Sequence, residues 1–156
     1  MSIYIVQLGS PRLPQEGLRI GTVRRPPRGV PKSEFASQNW YDLWYPNLAP
    51  SAELVKQAQA ASDAKQWAAF VKAYKAEMAT PDNSRNLDLL AALSHQTNLS
   101  VGCYCADEAH CHRSVLRQLL AERGAEGEEA LAWRPIPGRL AGKAAARCGC
   151  GPQPDK

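Results

Sequence analysis

Residues 103–114 concentrate the reactive side chains of this 156-residue chain. The run Cys103-Tyr104-Cys105-Ala106-Asp107-Glu108-Ala109-His110-Cys111-His112-Arg113-Ser114 holds three of the five cysteines and two of the three histidines. Three chemistries are open to it. In the first, Cys103 or Cys105 is a nucleophile or redox thiol, His112 and Glu108 move protons, and Arg113 with Ser114 holds an anion. The second is a metal site, because Cys103, Cys105 and Cys111 with His110 or His112 could supply four soft ligands suited to zinc. In the third, small buried cysteines pack a strand end and His112 follows the apolar face of Val115, Leu116, Leu119 and Leu120.

Spacing narrows the enzyme chemistry. A cysteine phosphatase places its cysteine five residues before the arginine, in a loop that cradles phosphate with backbone N–H groups. Here seven residues separate Cys105 from Arg113, and residues 106–112 contain no glycine. A rhodanese-like loop fits no better, since Asp107 and Glu108 would repel an anionic sulfur donor. The C-x-C-x5-C pattern also differs from the usual zinc-finger and zinc-ribbon spacings. Cys148-Gly149-Cys150-Gly151 is a second thiol pair in a segment whose composition reads as an idle tail.

The elements around the run should place it at a ligand-binding edge. Asn98 to Cys105 reads as a strand, and His112 to Arg123 as a helix stopped by Gly124. The run therefore bridges the carboxyl end of a strand and the amino end of a helix, where open α/β sheets bind ligands. Free N–H groups and the helix dipole there favour an anion and lower thiol pKa values.

Upstream, Ile3 to Leu8 and Leu18 to Val23 read as strands. Arg24 to Lys32, with three prolines and four cations, reads as an exposed loop. Aromatic spacing at Trp40, Tyr41, Trp44 and Tyr45 predicts one side of a short helix that staples this segment to the core. Helices follow from Ala52 to about Ala60 capped by Ser51, from Ser62 or Asp63 through Met78, and from Ser84 to about Gln96 after a break at Thr80-Pro81-Asp82-Asn83. His95 is expected to be structural. The predicted architecture is a single compact α/β domain, three-layer-like, with a small, mostly parallel sheet and flanking helices over 1–134. A basic, flexible Gly/Ala/Pro-rich tail is expected over 135–156.

Composition fits that architecture. The chain is 44% apolar and 22% charged with a mean hydropathy of −0.40, which excludes wholesale disorder. No apolar run approaches the ~20 residues of a membrane span, so a cytoplasmic protein without a membrane partner is expected. The formal charge is +4, and Met1 to Lys32 carries six cations (Arg12, Arg19, Arg24, Arg25, Arg28, Lys32) against Glu16. Such an arm could meet phosphates, whether of a small molecule or of nucleic acid. Crowded cysteines, odd in number, point to reduced thiols or a metal site and away from a dispersed disulfide framework.

Three stretches resemble the bacterial family grouped as domain of unknown function 488. They are Leu18 to Gly29 with its basic, proline-bearing loop; Trp44-Tyr45-Pro46-Asn47-Leu48-Ala49-Pro50-Ser51 with Trp67 to Met78; and Val101 to Leu116 with the hallmark Glu108-Ala109-His110-Cys111-His112-Arg113-Ser114. The resemblance covers roughly Leu18 to Gly124. It implies a compact α/β domain with the hallmark at a strand-to-helix junction, and it implies no reaction. Where the family often carries Asp-x-Arg in its opening strand, this chain has Thr22-Val23-Arg24.

Together these readings predict a pocket in which residues 24–32 face the junction. Arg24, Arg25, Arg28, Arg113 and Ser114 would hold an anionic, phosphate-bearing small molecule or nucleic-acid end beside a cysteine and His112, with no cofactor. The alternative is a noncatalytic zinc- or nucleic-acid-binding module built from Cys103, Cys105, Cys111 and His110.

Overall fold

The computed structural model describes residues 1–127; the Cys148/Cys150 pair and the expected tail lie outside the described residues. Four short strands form one all-parallel sheet: β1 (Ile3–Gln7), β2 (Leu18–Gly21), β3 (Leu43–Trp44) and β4 (Leu99–Cys103), in the spatial order β1-β4-β2-β3. Strand β4, the last in sequence, lies between the first two, with Val101 opposite Ile5 on one side and Ile20 on the other. All five of its residues are buried. The α/β architecture expected from the sequence is thus present, with a sheet that is wholly parallel.

Four helices, α1 (Ala52–Ala60), α2 (Ala64–Met78), α3 (Pro81–Leu93) and α4 (His112–Glu122), pack on one another, and α4 packs on β4. Caps set their starts. The Ser51 Oγ accepts from the Leu54 N–H, and the Asp63 carboxylate accepts from the Gln66 N–H at 2.8 Å. Helix α3 begins three residues earlier than its expected start at Ser84. Pro81 occupies its first turn, where the missing N–H costs nothing and the fixed φ suits a helix, so the anticipated break is the cap. None of the helices among the described residues is long and apolar enough to cross a membrane.

The largest departure is at residues 35–50. The aromatic spacing there does not make a helix. The segment runs through irregular chain, the two-residue edge strand β3 and a single 3-10 turn at Pro46–Leu48. Its aromatics scatter accordingly: Tyr41 is buried, whereas Trp44 stays 40% exposed with its indole N–H on the Val23 carbonyl.

That irregular chain forms a layer over one sheet face. Side chains alternate along a strand, so Arg19, Gly21, Ser100 and Gly102 share this face. A Cβ on Gly21 would meet Tyr41 Cδ1 at 2.4 Å, and one on Gly102 would meet Leu8 Cδ2 at 2.6 Å. The two glycines sit side by side in register and let the layer approach.

Arg19, fully buried, fastens the layer. It pairs with Glu16 at 2.6 and 3.0 Å and donates to the carbonyls of Ser10 and Asn39 at 2.9 and 2.8 Å. Three of the six N-terminal cations therefore belong to the fold: Arg19, Arg12 on Asp42, and Arg24 on loop carbonyls. Arg19→Met would leave Glu16 as an uncompensated buried charge. We expect it to lose about 3–5 kcal/mol in urea unfolding; a loss below about 1 kcal/mol would show that the pair is dispensable.

Candidate functional site

Strand β4 ends at Cys103, and the chain turns through Tyr104 and Cys105 into a 3-10 turn at Glu108–His110 before Cys111 opens α4. This return brings three thiols and one imidazole together beneath the sheet end. The Cys103 and Cys105 sulfurs are 3.5 Å apart, and the Cys111 sulfur lies 3.8 Å from His112 Nδ1. The ligand atoms of Cys103, Cys111 and His112 lie within 4.8 Å of one another. The cluster is shut off from solvent, with Cys103, Cys111 and His112 at 0% exposure and Cys105 at 4%.

Three elements orient the imidazole. The His112 Nε2 hydrogen bonds to the Thr22 carbonyl at 2.7 Å, which aims Nδ1 at Cys111. Thr22 is itself held by its N–H and hydroxyl, both donating to the Gly102 carbonyl at 3.0 and 2.9 Å. From α2 the ring of Tyr74 packs edge-on against His112 at 5.7 Å, and its hydroxyl donates to the Leu48 carbonyl at 2.6 Å. Thr22, at the position where the resemblance led us to expect an acid, therefore acts through its backbone oxygen.

Electrostatics single out Cys111. Burial opposes its thiolate, but hydrogen bonds from Cys103 and Cys105 and the neighbouring His112 outweigh that and hold the thiol well below its ordinary range. Burial pushes the Cys103 thiol well up. The Cys105 thiol is lowered by Cys103, yet its hydrogen bond to Cys111 and its burial raise it further. Burial pulls His112 down while the charge of Cys111 pulls it up more, to about 10. Arg113, 3% exposed, adds a buried guanidinium whose Nη2 donates to the Cys105 carbonyl at 2.6 Å.

The other candidates lie elsewhere. His110 is exposed and pairs with Asp107 at 2.7 Å, so the histidine in the cluster is His112. Glu108 is engaged by Arg117, whose Nε donates to it at 2.7 Å. Ser114 spends its hydroxyl on the Cys111 carbonyl at 2.8 Å. Arg24 donates to the carbonyls of Pro50, Pro46 and Ala49, while Arg25 and Arg28 are exposed. That loop meets the junction through its backbone, the Arg25 carbonyl accepting from the Tyr104 hydroxyl at 2.9 Å. His95 lies at the far end of α3, near Gly124 and Glu126.

Sequence reasoning weighed Cys103 and Cys105 as the reactive thiols and passed over Cys111 for that role. Its signal was position, immediately before the first residue of an amphipathic helix. The supporting Thr22 carbonyl and Tyr74 ring carried no signal at all.

Residues 3–124 match the family described as the active DUF488-N3 subclade. No curated protein and no solved structure matches the chain.

The two histidines of the hallmark should respond unequally to mutation. We expect His110→Ala to change stability by less than about 0.5 kcal/mol. His112→Ala should cost about 2–4 kcal/mol, from the cavity and the orphaned Thr22 carbonyl. Chemical unfolding of both variants checks this, and equal losses would contradict the assignment.

Proposed function

The chain belongs to the DUF488 family, and on that premise we propose that its working centre is a metal–thiolate site of the zinc class, with Cys103, Cys111 and His112 as ligands. One observation carries this. Three soft ligand atoms within 4.8 Å of one another lie fully buried, where strand β4 ends and helix α4 begins. Thiolate and imidazole are the donors zinc prefers. Liganding histidines characteristically donate their second ring N–H to a carboxylate or backbone carbonyl, which fixes the tautomer, and the Thr22 carbonyl serves that purpose for His112. Bare thiols packed this closely have only weak sulfur hydrogen bonds to offer one another; a dication rewards the crowding.

A second reading has its own support. Cys111 lies at the amino end of the 11-residue helix α4 with Arg113 beside it, and the matching subclade is described as active. In that reading Cys111 is the nucleophile toward an anionic, phosphate-bearing group, His112 is its proton partner and Arg113 its charge partner. The exposed Arg25 and Arg28 would then attract substrate to the junction without touching the thiol.

Metal analysis decides between them, carried out on the full chain purified without chelators and carrying Cys148→Ser and Cys150→Ser. We expect one equivalent of zinc, thiols that react only after unfolding or chelation, and loss of the metal in Cys111→Ser. Protein that takes up no zinc, with Cys111 alkylated rapidly at neutral pH, would overturn the metal site and establish the nucleophile. Removing the metal should also lower the urea midpoint, because binding energy at such a site is folding energy.

A further inference from the structure

Resting on the metal reading, we infer that the centre is closed, with Cys105 as its fourth ligand and the buried Arg113 as the counter-charge that permits three thiolates. Distances supply the first half. Bond lengths of about 2.3 Å to sulfur and 2.0 Å to nitrogen at tetrahedral angles require two sulfurs about 3.8 Å apart and a sulfur and a nitrogen about 3.5 Å apart. The Cys103–Cys105 sulfurs, at 3.5 Å, and the Cys111 sulfur and His112 Nδ1, at 3.8 Å, each come within about 0.3 Å of two opposite edges of such a tetrahedron. The Cys111 and His112 ligand atoms lie within 4.8 Å of the Cys103 sulfur, which joins the two edges.

Charge supplies the second half. A dication, three thiolates and a neutral imidazole together carry one net negative charge, which is costly to bury alone. Arg113 is 3% exposed and directly follows the proposed ligands Cys111 and His112 in the chain. Its Nη2 donates to the carbonyl of Cys105, the fourth ligand, while its Nε is buried with no hydrogen-bond partner. An unpartnered N–H on a buried cation beside these sulfurs calls for a sulfur acceptor. A thiolate-rich centre gives it an acceptor, and ion plus guanidinium sum to neutrality. A closed centre has no coordination position for water or substrate, so its metal holds the junction together and polarises nothing.

Cobalt(II) loaded into the full chain in the Cys148→Ser, Cys150→Ser background tests both halves, because thiolate-to-cobalt charge-transfer absorption scales with the number of Co–S bonds. The expected spectrum is tetrahedral with three thiolates, and Cys105→Ser should reduce the charge-transfer intensity to about two-thirds. Identical intensity in Cys105→Ser and its parent would overturn the closed centre while leaving a metal site in place. Failure of the parent to bind cobalt or zinc would instead overturn the metal reading itself.

For the counter-charge, Arg113→Met is expected to weaken zinc binding about 10–100-fold, the usual effect of losing an outer partner, with the thiolate count retained. Arg113→Lys, which keeps a cation but loses the planar fork, should recover part of the affinity. Unchanged affinity in either variant overturns the role of Arg113, and Arg113→Lys provides that test if Arg113→Met does not fold.

Discussion

Strand β4 is the constraint on which this molecule depends. It hydrogen bonds to β1 on one side and β2 on the other and is buried along its whole length. It is also the last strand among the described residues: the contact of Ser2 with Asn98 at its base spans 96 residues. The chain between β3 and β4, including α1 to α3, must return to the sheet before this strand can close it, which places its closure entropy late in folding. The same insertion carries Cys103 into the interior. It also sets the Gly102 carbonyl where Thr22 can bind it twice. The strand that completes the sheet therefore also positions one thiol of the cluster.

The two faces of that sheet solve burial differently. Helices pack where side chains are branched and apolar, as on the face that carries Ile20, Val101 and Cys103. The opposite face bears Arg19, two glycines and a serine, and it is covered by irregular chain whose backbone needs partners. Arg19 provides them by donating to three carbonyls of that layer, while Glu16 neutralises it. A guanidinium suits this role because its five donors lie in a fixed plane. Apolar side chains could fill the space but could not satisfy the carbonyls.

At the cluster, burial raises what each charge costs and strengthens what each neighbour supplies. Three thiols, an imidazole and a guanidinium with little access to water must share protons among themselves. Cys111 holds its negative charge because Cys103, Cys105 and His112 surround it. A bound soft cation would give the same groups a stronger organising charge. This is why the helix α2 ring of Tyr74 and the Thr22 carbonyl matter as much as the thiols: they fix the direction in which His112 Nδ1 points.

Much of this was determined by sequence alone. Helices α1, α2 and α4 announced themselves through caps and periodicity, because those signals are local. The strand-to-helix junction with its thiols was legible from composition and from the Glu108-to-Ser114 hallmark. The basic loop was legible as a loop, but charge in a sequence does not reveal whether a cation meets a ligand or backbone carbonyls, as Arg19 and Arg24 do. Aromatic spacing at residues 40–45 failed for a related reason: the deciding contacts, Tyr41 over Gly21 and Trp40 over Gly9, lie on other segments. For the metal site the sequence left His110 and His112 open; the tertiary structure chose His112 and brought Cys111 back to Cys103. That choice rests on where a turn between strand and helix points each side chain. Residue types alone leave the two histidines equivalent; packing makes one a buried partner and leaves the other in solvent.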